Sequence, residues 1–136
     1  ISEFSKRLSR YANLNIIELA EEDDNKGIGT AITKETERII DALNKRNRSY
    51  SILLDLKGKL KSSEEMAEEI ENISLRYSEI NFIIGGSNGV DDELRKLVDF
   101  RLAFSSFTFP HQLMRLILME QIYRWISINK NIKYHK

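Results

Sequence analysis

The fold is decided by the stretch Ile80-Asn81-Phe82-Ile83-Ile84, which leads directly into Gly85-Gly86-Ser87-Asn88-Gly89. A short continuous apolar run bounded by glycine predicts a strand that is covered on both faces of a sheet. The acidic residues Asp91-Asp92-Glu93 follow the glycine loop and predict the first turn of a helix over Asp91–Phe100. A buried strand that runs through a glycine loop into a helix is typical of a parallel α/β sheet.

Apolar and capping patterns on either side of this stretch extend the alternation of helices and strands. A capping box is predicted at Ser62, because Glu65 follows it three residues later at the start of an apolar helix pattern. We expect one α/β domain over residues 1–136, with a parallel sheet and helices on both of its faces. We expect strands at Leu14–Ala20, Ser51–Leu56 and Leu102–Ser105. The expected helices are a helix end at 1–12, Thr30–Lys45, one that starts at Ser62, and Gln112–Ile128. A loop is expected at Glu21–Gly29 and a tail at Asn129–Lys136.

The composition excludes several classes of protein and of site. The chain has 136 residues, of which 41% are hydrophobic, and 21 basic groups balance 21 acidic ones. Such a chain has enough apolar side chains to fold, so it is not a disordered tail. It has no cysteine and two histidines, which excludes thiol chemistry and argues against a metal site. Because we find no long apolar run and no signal peptide, we expect no membrane segment, and the lack of cysteine fits the cytoplasm.

The zero net charge conceals a segregation of charge along the chain. Residues 64–99 carry 3 basic and 10 acidic groups, whereas residues 101–136 carry 6 basic and 1 acidic. The basic tail Lys130–Lys136 also contains Tyr134 and His135, and lysines beside aromatic side chains suit RNA through phosphate contacts and stacking. Solvated helix faces and a ragged basic terminus are the alternative interpretations, and both stay open.

Three loops are expected at the carboxyl edge of the sheet, where open parallel sheets bind ligands. They are Lys57-Gly58-Lys59, Gly85–Gly89 and Ser106–Pro110. The acidic turn after the second loop repels phosphate, and the glycine spacing fits neither the dinucleotide fingerprint nor the P-loop. A ligand without phosphate, such as a nucleoside, fits the loop better, and a plain strand–helix turn is the alternative.

The segment Phe104–His111 alternates phenylalanines with hydroxyl residues before Pro110, which is expected to start the last helix. Its aromatic rings either sandwich an adenine or fill the core under the sheet edge. The last helix is apolar nearly all round, which predicts burial against the sheet and a second subunit, with Tyr123 and Trp125 strengthening that interface. A core helix with snorkelling arginines is the alternative.

These segments together resemble the ribosomal RNA large-subunit methyltransferase H family of the SPOUT superfamily. The resemblance implies S-adenosylmethionine as the cofactor, a homodimer through the C-terminal helix, and a C-terminal trefoil knot in which that helix threads through the cofactor loops. It also implies methylation of N3 of a pseudouridine in helix 69 of the large-subunit rRNA on the assembled ribosome. The residues that carry it are Ile84–Gly89, Phe104-Ser105, Thr108–Gln112, Arg115, Glu120-Gln121, Tyr123-Arg124 and Tyr134–Lys136, with weaker similarity through Leu54–Lys59 back to the first helix.

The resemblance also assigns roles to individual residues. Arg124, Tyr134 and His135 match positions near the target base, where we expect them to position the pseudouridine and stabilise its anionic form. His135 is a hypothetical general base, because an imidazole exchanges its proton near neutral pH. The positions that match the family's cofactor contacts are Leu54, Gly85, Phe104, Ser105, Ser106, Phe107, Thr108 and Phe109.

The sequence also departs from the family pattern. Family members open with a strand and a Gly-Lys turn, so we expect a first strand ahead of Ile1. Trp125 stands where relatives usually have a small residue, and Lys136 stands where some have arginine. Two other functions stay open: a non-catalytic RNA-binding or ribosome-binding protein of the same fold, and a methyltransferase that acts on another RNA.

Overall fold

The computed structural model describes residues 28–45, 49–84, 92–105 and 109–134, and within these ranges it describes all side chains except those of residues 28–33, 35 and 111. The predicted elements before residue 28 and the glycine loop over 85–89 lie outside the described residues. Helices and strands alternate along the described chain, as the sequence predicts. They are α1 (Ile28–Asn44), β1 (Ser49–Leu60), α2 (Ser63–Ser74), β2 (Glu79–Ile83), α3 (Asp92–Leu97), β3 (Phe100–Ala103) and α4 (His111–Asn129).

The three described strands form a parallel sheet with the order β2-β1-β3. The central strand β1 places two neighbouring residues, Ile52 and Leu53, on opposite faces, and both side chains are fully buried. Ile52 packs with residues of α2 and α4, and Leu53 packs with residues of α1 and α3. Helices therefore cover both faces, which confirms the predicted α/β class.

The central strand is longer than the sequence predicts. We predicted a strand at Ser51–Leu56 and a loop at Lys57-Gly58-Lys59, but β1 continues to Leu60, so that prediction of a loop is wrong. Pairing with β3 is interrupted after Leu54 and resumes at Lys59, an irregularity that lets the strand carry extra residues. Gly58 permits it, because a Cβ there would lie 2.7 Å from the carbonyl carbon of Arg101.

The third helix is shorter than predicted. It ends at Leu97, and the predicted helical residue Phe100 instead begins β3, which starts two residues before the predicted strand. The cause is a two-point contact with the central strand: the Asp99 N–H donates to the Ser51 carbonyl, and the Ser51 N–H donates to the Asp99 carboxylate at 2.8 Å. These two hydrogen bonds end the helix and place the residues that follow in the sheet.

The capping box predicted at the start of α2 is confirmed. Ser62 Oγ accepts a hydrogen bond from the Glu65 N–H at 3.1 Å, and the Glu65 carboxylate accepts one from the Ser62 N–H at 2.9 Å. The hydrogen bond from the Ser62 backbone is the largest cause that lowers the pKa of the Glu65 carboxyl below its ordinary value. Because the pKa is lowered on folding, this stabilisation is present above the ordinary value and is lost as the pH falls through the folded one.

We expect the substitution Ser62→Ala to lower the free energy of unfolding by about 1 kcal/mol, because it removes the acceptor for one N–H of the first turn. Urea denaturation at neutral pH measures this, with Ser78→Ala as the control, since Ser78 is an exposed residue outside the helices. An equal loss of stability in both variants would contradict the role of the cap.

The last helix supplies a large part of the core through Trp125. The Trp125 side chain is 2% exposed within the single chain, and its ring lies 5.9 Å from the ring of Phe82 on β2. Tyr123 is also buried, at 8% exposure. The prediction that these two side chains strengthen a subunit interface is therefore wrong, because both are already buried within the single chain.

Candidate functional site

A cavity of about 260 Å³ lies where the end of β3, the start of α2 and the middle of α4 meet. Three of the side chains predicted from the resemblance to contact a cofactor line it, namely Phe104, Ser105 and Phe109. They follow β3 and precede α4, so they lie beyond the carboxyl end of a parallel strand, as expected. The other lining residues are Lys61, Ser62, Ser63, Met66, Leu102, Ile117, Gln121 and Trp125.

The remaining predicted cofactor residues lie away from this cavity or outside the described residues. Leu54 is half-buried, packs against the core around Ile52, and pairs in register with Leu102, which does line the cavity. Gly85, Ser106, Phe107 and Thr108 fall outside the described ranges. The structure therefore brings Phe104, Ser105 and Phe109 together with the start of α2.

One residue of the cavity lining, Trp125, has a polar atom without a hydrogen-bond partner among the described residues. This atom is the indole Nε1, whose N–H is buried. A buried donor without an acceptor costs roughly 1 to 3 kcal/mol. Aromatic and aliphatic walls with a few polar groups are the usual lining of a small-molecule site.

Two of the three residues predicted to act on a target base form a cluster on the C-terminal side of α4. Arg124 and Glu120 are one helical turn apart, with Arg124 Nε donating to Glu120 Oε1 at 2.8 Å and Nη2 lying 2.6 Å from the same oxygen. The Tyr134 hydroxyl donates to this oxygen at 3.3 Å. The Arg124 guanidinium lies 5.0 Å from the centre of the Tyr134 ring, within cation–π range.

The tail reaches this cluster because it folds back against α4. The Ile132 N–H donates to the Ser127 carbonyl, and Tyr134 packs edge-on against Tyr123 with ring centres 4.8 Å apart. His135 and Lys136 lie outside the described residues. Arg124 and Tyr134 thus lie in contact, and their role at a target base stays a prediction, as does the position of His135.

Glu120 and Gln121 both belong to the segment that carries the resemblance, but the sequence predicts no role for either of them. The four-residue spacing between Glu120 and Arg124 is the signal that predicts an ion pair on a helix. No sequence signal predicts the neighbouring contact, in which Ser63 Oγ donates to Gln121 Oε1 at 2.8 Å across 58 residues of chain.

Within the described ranges, no three acidic or histidine side chains gather in a way that would hold a metal ion. None of the described helices is both long enough and apolar enough to cross a lipid bilayer.

Comparison with known proteins places the chain in a family. A family model described as "Predicted SPOUT methyltransferase" matches residues 1–135. The chain is 56% identical over 137 residues to the ribosomal RNA large subunit methyltransferase H of Fusobacterium nucleatum subsp. nucleatum, covering 100% of this chain and 88% of that protein. Proteins of the same name from Clostridioides difficile and Alkaliphilus oremlandii are 48% and 47% identical, again over 100% of this chain and 88% of theirs. The chain therefore belongs to the SPOUT methyltransferases, and within them to the family of ribosomal RNA large subunit methyltransferase H.

Proposed function

We propose that this protein transfers a methyl group from S-adenosylmethionine to N3 of a pseudouridine in helix 69 of the large-subunit rRNA, on the assembled ribosome. One observation carries the proposal: the same helix, α4, lines a cavity suited to a nucleoside and presents the Arg124–Tyr134 cluster a short distance along its axis. The family membership and the names of the relatives support the reaction class and the rRNA substrate.

The cavity residues fit S-adenosylmethionine. Phe104 and Phe109 offer aromatic surface for an adenine ring, and Trp125 adds a third aromatic side chain to the lining. The acidic start of α3 matters less for this ligand than for a nucleotide, because S-adenosylmethionine has no phosphate. When bound, the cofactor supplies a methyl group activated by the positively charged sulfur.

Arg124 supplies the positive charge that the proposed reaction on the target base needs. The N3 of a pseudouridine carries a proton and attacks well only once this proton has left, so negative charge develops on the base. Arg124 is held by Glu120 with its side chain 24% exposed, and its guanidinium is able to stabilise that charge. Tyr134 lies beside it, with its ring against Arg124 and its hydroxyl bonded to Glu120, and we propose that it helps to orient the base. We propose His135 as the group that takes the proton.

The rest of the proposal concerns assembly and location. The first half of α4 exposes two leucines, Leu113 at 42% and Leu116 at 37%, and a second copy of the chain would cover them in a homodimer. We propose that the last helix threads a trefoil knot, as in the family that the chain resembles. A substrate on the assembled ribosome places the enzyme in the cytoplasm.

The single tryptophan of the chain makes the cofactor part of the proposal directly testable. Because Trp125 lines the cavity, titration with S-adenosylhomocysteine should change its fluorescence with a saturable curve. Adenosine monophosphate is the control and should bind more weakly, because Lys61 is the basic side chain among the described lining residues and is already paired with Glu69. A flat titration would contradict the proposal.

The substrate is tested separately, in a strain that lacks the gene. Primer extension across helix 69 should lose the stop that the methylated base causes, and the purified protein should restore it on isolated ribosomes. An unchanged stop in the deletion strain would favour a methyltransferase for another RNA. Ribosome binding without any response to S-adenosylhomocysteine would favour the non-catalytic binding protein.

A further inference from the structure

Both carboxylate oxygens of Glu120 accept hydrogen bonds, and the two oxygens accept them from different residues. Oε1 accepts from Arg124 and from the Tyr134 hydroxyl, as described above. Oε2 accepts from the side-chain amide of Gln121, whose Nε2 lies 2.9 Å away. Glu120 thus joins Arg124 and Tyr134 to Gln121, which lines the cavity.

The orientation of the Gln121 amide follows from its two neighbours. An ionised carboxylate only accepts hydrogen bonds, so Gln121 must present its NH₂ group to Glu120. Its carbonyl oxygen then points the other way, where it accepts from Ser63 Oγ at 2.8 Å. Because the amide is planar, the bond to Ser63 on α2 fixes the direction in which its NH₂ group holds Glu120.

The ion pair alone would hold Arg124 weakly. The Glu120 and Arg124 side chains are 21% and 24% exposed, and a partly exposed pair on a helix contributes little and moves easily. The chain from Ser63 through Gln121 adds an anchor on a second helix. A misplacement of about 1 Å in a catalytic arrangement lowers a rate by about 100-fold, so such an anchor has a large effect on the rate.

We infer that Gln121 is a positioning residue for methyl transfer, acting through Glu120 to hold Arg124 in the geometry that the target base requires. This inference rests on the proposed function. It also means that a single side chain touches the cofactor cavity on one side and restrains the substrate-facing cluster on the other.

The substitution Gln121→Leu keeps the size of the side chain and removes both hydrogen bonds. At saturating S-adenosylmethionine and ribosomes, the single-turnover rate constant should fall about 10- to 100-fold. The dissociation constant for S-adenosylhomocysteine, read from Trp125 fluorescence, should change less than about threefold, since the aromatic wall remains. The matched control is Asn72→Leu, which makes a similar change at an exposed position of α2 and should leave both values unchanged.

Ser63→Ala tests the same link from the other helix, in case Gln121→Leu fails to fold. It should lower the rate about 3- to 10-fold, because it removes one hydrogen bond and leaves the Gln121–Glu120 contact in place. Its control is Ser74→Ala on the same helix, where the hydroxyl donates only to the Ile70 carbonyl one turn earlier.

Two readouts separate positioning from a merely structural role. In an Arg124→Ala background, Gln121→Leu should lower the rate by less than about twofold, because Gln121 acts through Arg124; additive losses would overturn the inference. In NMR spectra, hydrogen exchange at Arg124 Nε–H should be faster in Gln121→Leu than in the wild type, since Glu120 is less restrained. Unchanged exchange together with an unchanged rate would also overturn it.

The outcomes distinguish this inference from the proposed function. If the wild-type protein neither binds S-adenosylhomocysteine nor methylates ribosomes, the proposed function fails and the inference falls with it. If the wild type is active and Gln121→Leu matches it, only the inference fails.

Discussion

Replacement of Arg124 by alanine should lower the single-turnover rate constant of methyl transfer about 100- to 1000-fold, the usual loss when one preorganised donor to a developing anion is removed. The guanidinium is the cation of the cluster, and Glu120 and Tyr134 hold it beside the proposed base position. Stability should change by less than about 1 kcal/mol, because the Arg124–Glu120 pair is partly exposed. Rate and urea denaturation are therefore measured on the same preparation.

Two other substitutions serve as comparisons for Arg124→Ala. Arg124→Lys keeps the charge but loses the planar fork that donates to Glu120 through Nε, so its rate should fall between those of the wild type and the alanine variant. Arg76→Ala removes an exposed arginine after α2 and should keep the wild-type rate. A rate within threefold of the wild type for Arg124→Ala would rule out the assigned role.

Replacement of Trp125 by alanine should lower the free energy of unfolding by about 3 to 5 kcal/mol, the range for a large aromatic side chain removed from a core. The side chain is 2% exposed and packs against Phe82 on the sheet. Since small domains are stable by about 5 to 15 kcal/mol, the variant should lose a large share of its stability and unfold at a lower urea concentration. Trp125→Phe keeps most of the aromatic packing and should cost much less.

The dependence of unfolding on protein concentration distinguishes a role of Trp125 in the fold of each chain from a role in a dimer interface. If Trp125 stabilises the fold of each chain, the loss should be the same at low and high protein concentration, and sedimentation should show no specific weakening of a dimer. A variant that keeps its unfolding midpoint would contradict the assignment of Trp125 to the core of each chain.

Local patterns predicted the elements well where the cause of the element is local. The capping box at Ser62 and Glu65 depends on a three-residue spacing, and α4 depends on a long apolar stretch after Pro110, so both could be read directly. The errors lie where distant residues decide. The end of α3 is set by the pairing of Asp99 with Ser51, and the length of β1 by the fit of Gly58 against Arg101.

The candidate site divides in the same way. The aromatic segment at Phe104 and Phe109 and the cationic residue Arg124 could be singled out from the sequence, the latter with help from the family resemblance. The contact between Ser63 and Gln121 could not, because it joins α2 to α4 and depends on how the two helices cross. Sequence spacing carries no information about that crossing.

The sequence by itself determined the α/β class, because an apolar strand such as Ile80–Ile84 between amphipathic helices has few other stable arrangements. It also determined which residue types stand near the end of the chain. Only the tertiary structure decided that Trp125 belongs to the core and that Glu120 joins Arg124, Tyr134 and Gln121. The physical reason is that burial and hydrogen bonding depend on which surfaces meet, and those surfaces come from segments far apart in the chain.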